Sequence, residues 1–213
     1  MARKTYKLED LLRLIDEDYA WRRKELHLIK SLIPRLETPK QRASLRYSVP
    51  LLYAHWEGFI KKASELYLEF VAKKFHKHNE LKSQFIALSL LKKVSKLKIK
   101  DIREKVETIN FLINEFDKPS NILTKNIIRT KSNLKYEIFK EILFVIDIDE
   151  EIFSSNESLI NDLVDARNHI AHGNYLRVEY HTYNIMHTDV MSLMETFKTE
   201  VENAAVNERY MIK

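Results

Sequence analysis

The chain has 213 residues, no cysteine, two glycines (Gly58 and Gly173), four prolines, 45% hydrophobic residues and a formal charge of +5. A dinucleotide loop needs three clustered glycines and a Walker A loop a Gly-Lys pair, so the standard glycine-loop nucleotide enzymes are excluded. Without cysteine, disulfide scaffolds, thiolate zinc sites, iron–sulfur clusters and thiol catalysis are excluded as well.

The missing cysteines fit a reducing compartment. No run reaches the roughly 18 apolar residues of a membrane span, and the start MARKTYKLED lacks a signal peptide's apolar stretch. A cytoplasmic protein with no membrane partner is the expectation. The charge is unevenly spread. Residues 73 to 100 hold nine lysines against Glu80 alone, a local +8 that leaves −3 for the rest. Such a patch is the footprint of a polyanion-binding surface or, equally, a solvated helix face.

Scarce Gly and Pro with abundant Leu, Lys, Glu and Ile predict an all-α protein, and the length suits one large domain or two small ones. Residues 7 to 33 place Leu8, Leu11, Leu12, Ile15, Tyr19, Leu26 and Ile29 at three- and four-residue steps, a long amphipathic helix ending at Pro34. Thr38-Pro39 is a natural helix start, and residues 40 to 76 read as a second helix, with Pro50 a candidate kink. Its middle, Leu51 to Ile60, is nearly apolar all round and reads as the central core helix, with Gly58 permitting close approach of a neighbour. Trp56 and Tyr53 are read as core packing.

Segments 79 to 94 and 101 to 116 read as shorter helices, 117 to 133 as a loop with a brief apolar insert, and 134 to 146 as an apolar helix. Ser154-x-x-Glu157 has the capping-box pattern and opens a helix that Gly173 is placed to close. Residues 174 to 182 read as a loop or short extended piece, followed by a final amphipathic helix carrying Val190, Leu193, Met194, Phe197 and Val201.

The segment Asp165-Ala166-Arg167-Asn168-His169-Ile170-Ala171-His172-Gly173 gathers a permanent cation, an amide and two imidazoles at a helix end. At about 100° per residue, Leu159, Ile160, Leu163, Val164, Ala166, Ile170 and Ala171 fall within an arc of roughly 160°, and Arg167 falls inside it. A guanidinium there needs an anion: an internal carboxylate, a carboxylate of another subunit, or a phosphate. Asn168 and His172 lie four apart on the adjacent face, with His172 in the last turn, where the negative helix end favours imidazolium. The competing reading makes Arg167 a structural ion pair and the histidines simple caps. His169 and His172, or His76 and His78, lack a third ligand at metal spacing, so no metal and no cofactor is expected.

Arg167-Asn168-His169-Ile170-Ala171-His172 reads R-N-x-x-x-H and resembles the signature of the HEPN superfamily. Its setting adds to the likeness: Leu51-Tyr53-Ala54-His55-Trp56-Glu57-Gly58-Phe59 lies about 110 residues upstream, and Asn133-Leu134 opens a later helix. Together these are similar to the stand-alone MAE-type HEPN-like nuclease branch over nearly the whole chain. The resemblance implies a HEPN-type helical bundle, with long antiparallel core helices and additional short helices, in a single domain over 1–213. It further implies a homodimer and metal-independent endoribonuclease activity of a toxin or antiviral defence type, with RNA as substrate and an antitoxin or other defence-system protein as partner.

Carried over by position, Arg167 and His172 match the catalytic pair and Asn168 its polar neighbour. Glu57 stands as the carboxylate that would orient Arg167, with His169 as a supporting residue. His55, about 200° from Glu57 on the same helix, reads as a hydrogen-bonded core histidine. Lys92, Lys93, Lys96 and Lys98 are candidates for holding RNA phosphates. In some toxin members a tyrosine two residues after the histidine is modified; here that position is Asn174, with Tyr175 one later. Two other readings stay open: a non-catalytic HEPN-type RNA/nucleotide-binding or protein-interaction module, and a helical adaptor held by an internal Arg167 ion pair.

Overall fold

The computed structural model describes residues 6–94, 102–114 and 116–212. Among them seven α-helices follow in order: α1 (Leu8–Ser31), α2 (Pro39–Ala72), α3 (Ser83–Val94), α4 (Ile102–Asn114), α5 (Tyr136–Val145), α6 (Glu157–Ala171) and α7 (Tyr180–Val206). Extended structure among the described residues is limited to isolated bridges at Lys77–Pro119 and Leu81–Met211. The expected all-α helical architecture is observed. Lys92 and Lys93 lie on α3, whereas Lys96 and Lys98 lie outside the described residues.

The central element is α2. Thr38 caps it by accepting from the Gln41 amide at 3.1 Å, and Pro39 occupies its first turn, where a missing N–H costs nothing. The helix continues across Pro50 and Gly58 without ending. Proline removes one i→i−4 bond, but Val49, Leu52 and Tyr53 beside it are buried, and that packing holds the helix through the gap. Trp56, Phe59, Ile60, Tyr67 and Phe70 are fully buried along the same element, which packs against α1, α6 and α7.

The space above Gly58 is taken by a side chain and not by helix backbone. A Cβ there would meet the Arg22 guanidinium at 2.7 Å, and Arg22 is itself paired with Asp18 at 2.7 Å. His55 is buried, with Nε2 3.0 Å from Glu25 on α1; burial lowers its pKa, a shift that Glu25 opposes. It is the bonded core histidine expected.

The start of α6 departs from expectation. Ser154 does not cap α6: it sits inside a 3-10 segment, Glu150–Asn156, and its hydroxyl donates to the Glu151 carbonyl at 2.9 Å. The acidic run before it, capped by Asp149 accepting from the Glu151 amide, already supplies a helical turn, so the serine enters as an interior residue. At the other end, Gly173 behaves as predicted. Its amide bonds the Ile170 carbonyl and the Asn174 amide bonds the His169 carbonyl, a complete Schellman closure with Gly173 at φ +80.

Candidate active site

The stripe of Ile160, Leu163 and Val164 buries α6 against α2, and Arg167 continues that stripe one turn further on. Its guanidinium lies over the Tyr53 ring, Cζ to centroid 4.1 Å. One terminal nitrogen donates to Asn168 Oδ1 at 2.8 Å and the other to the Ser132 carbonyl at 2.5 Å. The Nε atom is buried without an acceptor. All three anchors are neutral. Among the described residues Arg167 forms no ion pair, so the guanidinium is fixed in direction while its charge remains uncompensated.

Glu57, the carboxylate offered by the sequence, is half-buried one turn along α2 from Tyr53 and makes no ion pair with Arg167. Its charge is felt at Tyr53, whose hydroxyl pKa is raised chiefly by burial. That hydroxyl accepts from the Leu134 amide at 2.8 Å. Tyr53 is therefore more than core packing: its ring carries the guanidinium and its oxygen ties down the segment that supplies Ser132.

That segment is held tightly to α6. Asn168 Nδ2 donates to Asn133 Oδ1 at 3.0 Å, Lys135 pairs with Asp165 at 2.8 Å, and the Tyr136 amide donates to Asn161 Oδ1 at 3.1 Å. Lys131 and Ser132 both adopt left-handed backbone, at φ +54 and +52, which non-glycine residues hold only where their surroundings over-determine it. The turn aims the Ser132 carbonyl at Arg167 and delivers Asn133 to Asn168.

His172 is the C-terminal cap of α6, its amide bonded to the Asn168 carbonyl at 3.0 Å and its imidazole exposed. His169 reaches the Tyr175 carbonyl at 3.3 Å, so it braces the loop that follows the motif. Arg46 of α2 completes that brace by donating to the Asn174 carbonyl at 3.2 Å, with Tyr175 5.4 Å beneath its guanidinium. Sequence reasoning missed Arg46, Ser132 and the role of Tyr53. Only the spacing of Asn133-Leu134 hinted at the segment that joins them. Among the described residues no three His, Asp or Glu side chains converge as metal ligands, and no helix is long and apolar enough to cross a membrane.

A protein-family model described as RiboL-PSP-HEPN matches residues 17–203. No curated protein and no solved structure matches the chain.

Proposed function

We propose that this chain, which belongs to the RiboL-PSP-HEPN family, is a metal-independent endoribonuclease in which Arg167, Asn168 and His172 form the catalytic group. The observation that carries this reading is the state of Arg167: held by a ring, an amide oxygen and a carbonyl, it presents a positive charge that no carboxylate among the described residues neutralises. A buried structural ion pair, the adaptor reading, needs such a carboxylate. A phosphate supplies the missing anion.

RNA carries its own nucleophile. The ribose 2′-oxygen attacks the adjacent phosphorus, the bond from phosphorus to the 5′-oxygen breaks, and the products are a 2′,3′-cyclic phosphate and a 5′-hydroxyl. One proton leaves the 2′-hydroxyl and one is delivered to the departing 5′-oxygen. Imidazole suits either transfer, and His172 stands exposed where substrate can reach it. Arg167 stabilises the charge developing on the phosphoryl oxygens, and Asn168 holds Arg167 while being held by Asn133.

The reading extends to a single domain over 1–213, to an affiliation with the MAE-type branch, and to a toxin or antiviral role in the cytoplasm, restrained by an antitoxin or other defence-system partner. It includes a homodimer whose two histidines share acid and base duties across a two-fold axis. Exposed apolar side chains on the α1–α2 face, Trp21, Leu28 and Leu32 with Tyr47 and Leu51, support a second copy seated there. An active, obligate monomer in sedimentation would remove the shared site. One feature favours the non-catalytic binding module instead: among the described residues no side chain orients the His172 ring.

The deciding assay incubates labelled single-stranded RNA with excess EDTA and the parent protein, His172→Ala or Arg167→Ala, with end-group analysis. The expected result is cleavage to a cyclic phosphate, reduced by about 10²–10⁴-fold in His172→Ala. RNA binding without cleavage, unchanged in His172→Ala, would support the binding module. No binding, with a fall in thermal stability in Arg167→Ala, would support the adaptor.

A further inference from the structure

Ser132, whose carbonyl anchors Arg167, is also part of the wall of a groove of about 480 Å³. The groove runs between the second half of α2, at Lys61 and Glu65, and the segment carrying Asn126, Arg129 and Lys131. Lys61 is eight residues beyond Tyr53 on α2, about 12 Å along its axis. A strand entering here from Arg167 would thus travel away from His172. Beyond it lies a second depression of about 380 Å³ that shares Glu65 and Asn126 and adds Glu69, Thr124 and Lys125.

The groove is cationic and its cations are available. Lys61 is exposed and has no acidic partner among the described residues. Arg129 donates through Nε to the Asn126 carbonyl at 3.0 Å, and its two terminal nitrogens have no partner among the described residues. Lys131 meets Glu141 at 3.2 Å, but both side chains are more than half exposed, so the bridge yields readily to another anion. The apolar lining residue, Ile128, is buried, which leaves no exposed hydrophobic anchor for a protein partner. Asn126, Lys131 and Ser132 all hold left-handed backbone on this wall, so the loop's shape is enforced at a cost. The exposed face of α2 also changes character along its length, from Tyr47, Leu51 and Ala54 near the motif loop to Lys61 and Lys62, with the half-buried Glu65 beside them, here.

We propose that this groove carries the single RNA strand leaving Arg167, with Lys61, Arg129 and Lys131 holding its phosphates. The proposal rests on the ribonuclease reading and adds a binding track distinct from the lysines of α3.

The test measures binding of a short labelled single-stranded RNA whose 2′-hydroxyls are all methylated, so that it binds but cannot be cut, across a range of salt. Relative to the parent, the Lys61→Ala/Arg129→Ala/Lys131→Ala protein is expected to bind at least about tenfold more weakly. Its slope of log affinity against log salt should be shallower by about 2, at about 0.7 per lost phosphate contact. An Arg23→Ala/Lys24→Ala protein, altered on α1, should match the parent. Parent-like affinity and slope in the triple variant would overturn the groove while leaving a cleaving enzyme intact. A parent protein that neither binds this RNA nor cuts the unmodified one would overturn the ribonuclease reading and the groove together.

Discussion

Tyr53 shows how one side chain can serve two neighbours. Its ring face receives the Arg167 guanidinium and its hydroxyl receives the Leu134 amide, so α2 is the post on which both halves of the site hang. Tyr53→Phe keeps the ring but leaves the Leu134 N–H buried without an acceptor, at an expected cost of about 1–3 kcal/mol. In a chain of this size each kcal/mol corresponds to about 2–4 °C of melting temperature. Calorimetry should therefore show a clear fall, and an unchanged midpoint would mean the Leu134 amide finds another partner. The partial burial of Arg167 was legible from the helical wheel, because periodicity alone places it on the apolar stripe. Its partners were not. Ser132 and Asn133 lie 35 residues away, and nothing in the spacing of the motif points to a carbonyl.

At the scale of elements, the end of α6 decides where His172 stands. Gly173 adopts φ +80 with open space around the position a Cβ would occupy, so Gly173→Ala meets backbone strain and no clash. The expected cost is about 1–2 kcal/mol, smaller for Gly173→Asn because asparagine tolerates the left-handed region better. Equal melting temperatures for the two variants would show that the Schellman closure is not what terminates the helix. Helices α1, α2, α6 and α7 were legible because their apolar residues recur at helical steps and their ends carry Thr38-Pro39 or Gly173. The start of α6 was misjudged at Ser154 because a capping-box pattern does not reveal whether the preceding residues already form a turn. Asp149 and its following acidic residues do form one.

Across the whole molecule the core links α1 to α7 through a buried histidine. His187 lies against α1, with Nε2 3.3 Å from the Leu26 carbonyl and its ring 5.6 Å from that of His27. Burial first, then the nearby Lys30 charge, pushes its pKa down to about 4 from 6.5, partly opposed by the Leu26 bond. Between those values the unfolded chain takes up a proton that the folded chain refuses, so acid favours unfolding. The stability present above pH about 6.5 is lost progressively as pH falls toward about 4, by up to about 3 kcal/mol from this residue. His187→Gln should flatten the dependence of melting temperature on pH across that window, and an identical slope in parent and variant would assign the acid sensitivity elsewhere. His55, also lowered by burial, contributes in the same direction.

Composition and periodicity were enough to settle the helical class, the placement of α2 at the centre and the inward aim of Arg167, because each follows from local propensity and from burying one face of a helix. The partners of Arg167 came only from the tertiary structure. Whether a half-buried cation meets a carboxylate or neutral oxygens depends on which distant segments pack beside it: Glu57, close in pattern, makes no ion pair with Arg167, while Ser132, remote in sequence, holds the guanidinium. The groove beside Ser132 has the same origin: Lys61, Arg129 and Lys131 are unremarkable surface residues in the linear chain, and a left-handed turn against α2 brings Arg129 and Lys131 across the groove from Lys61.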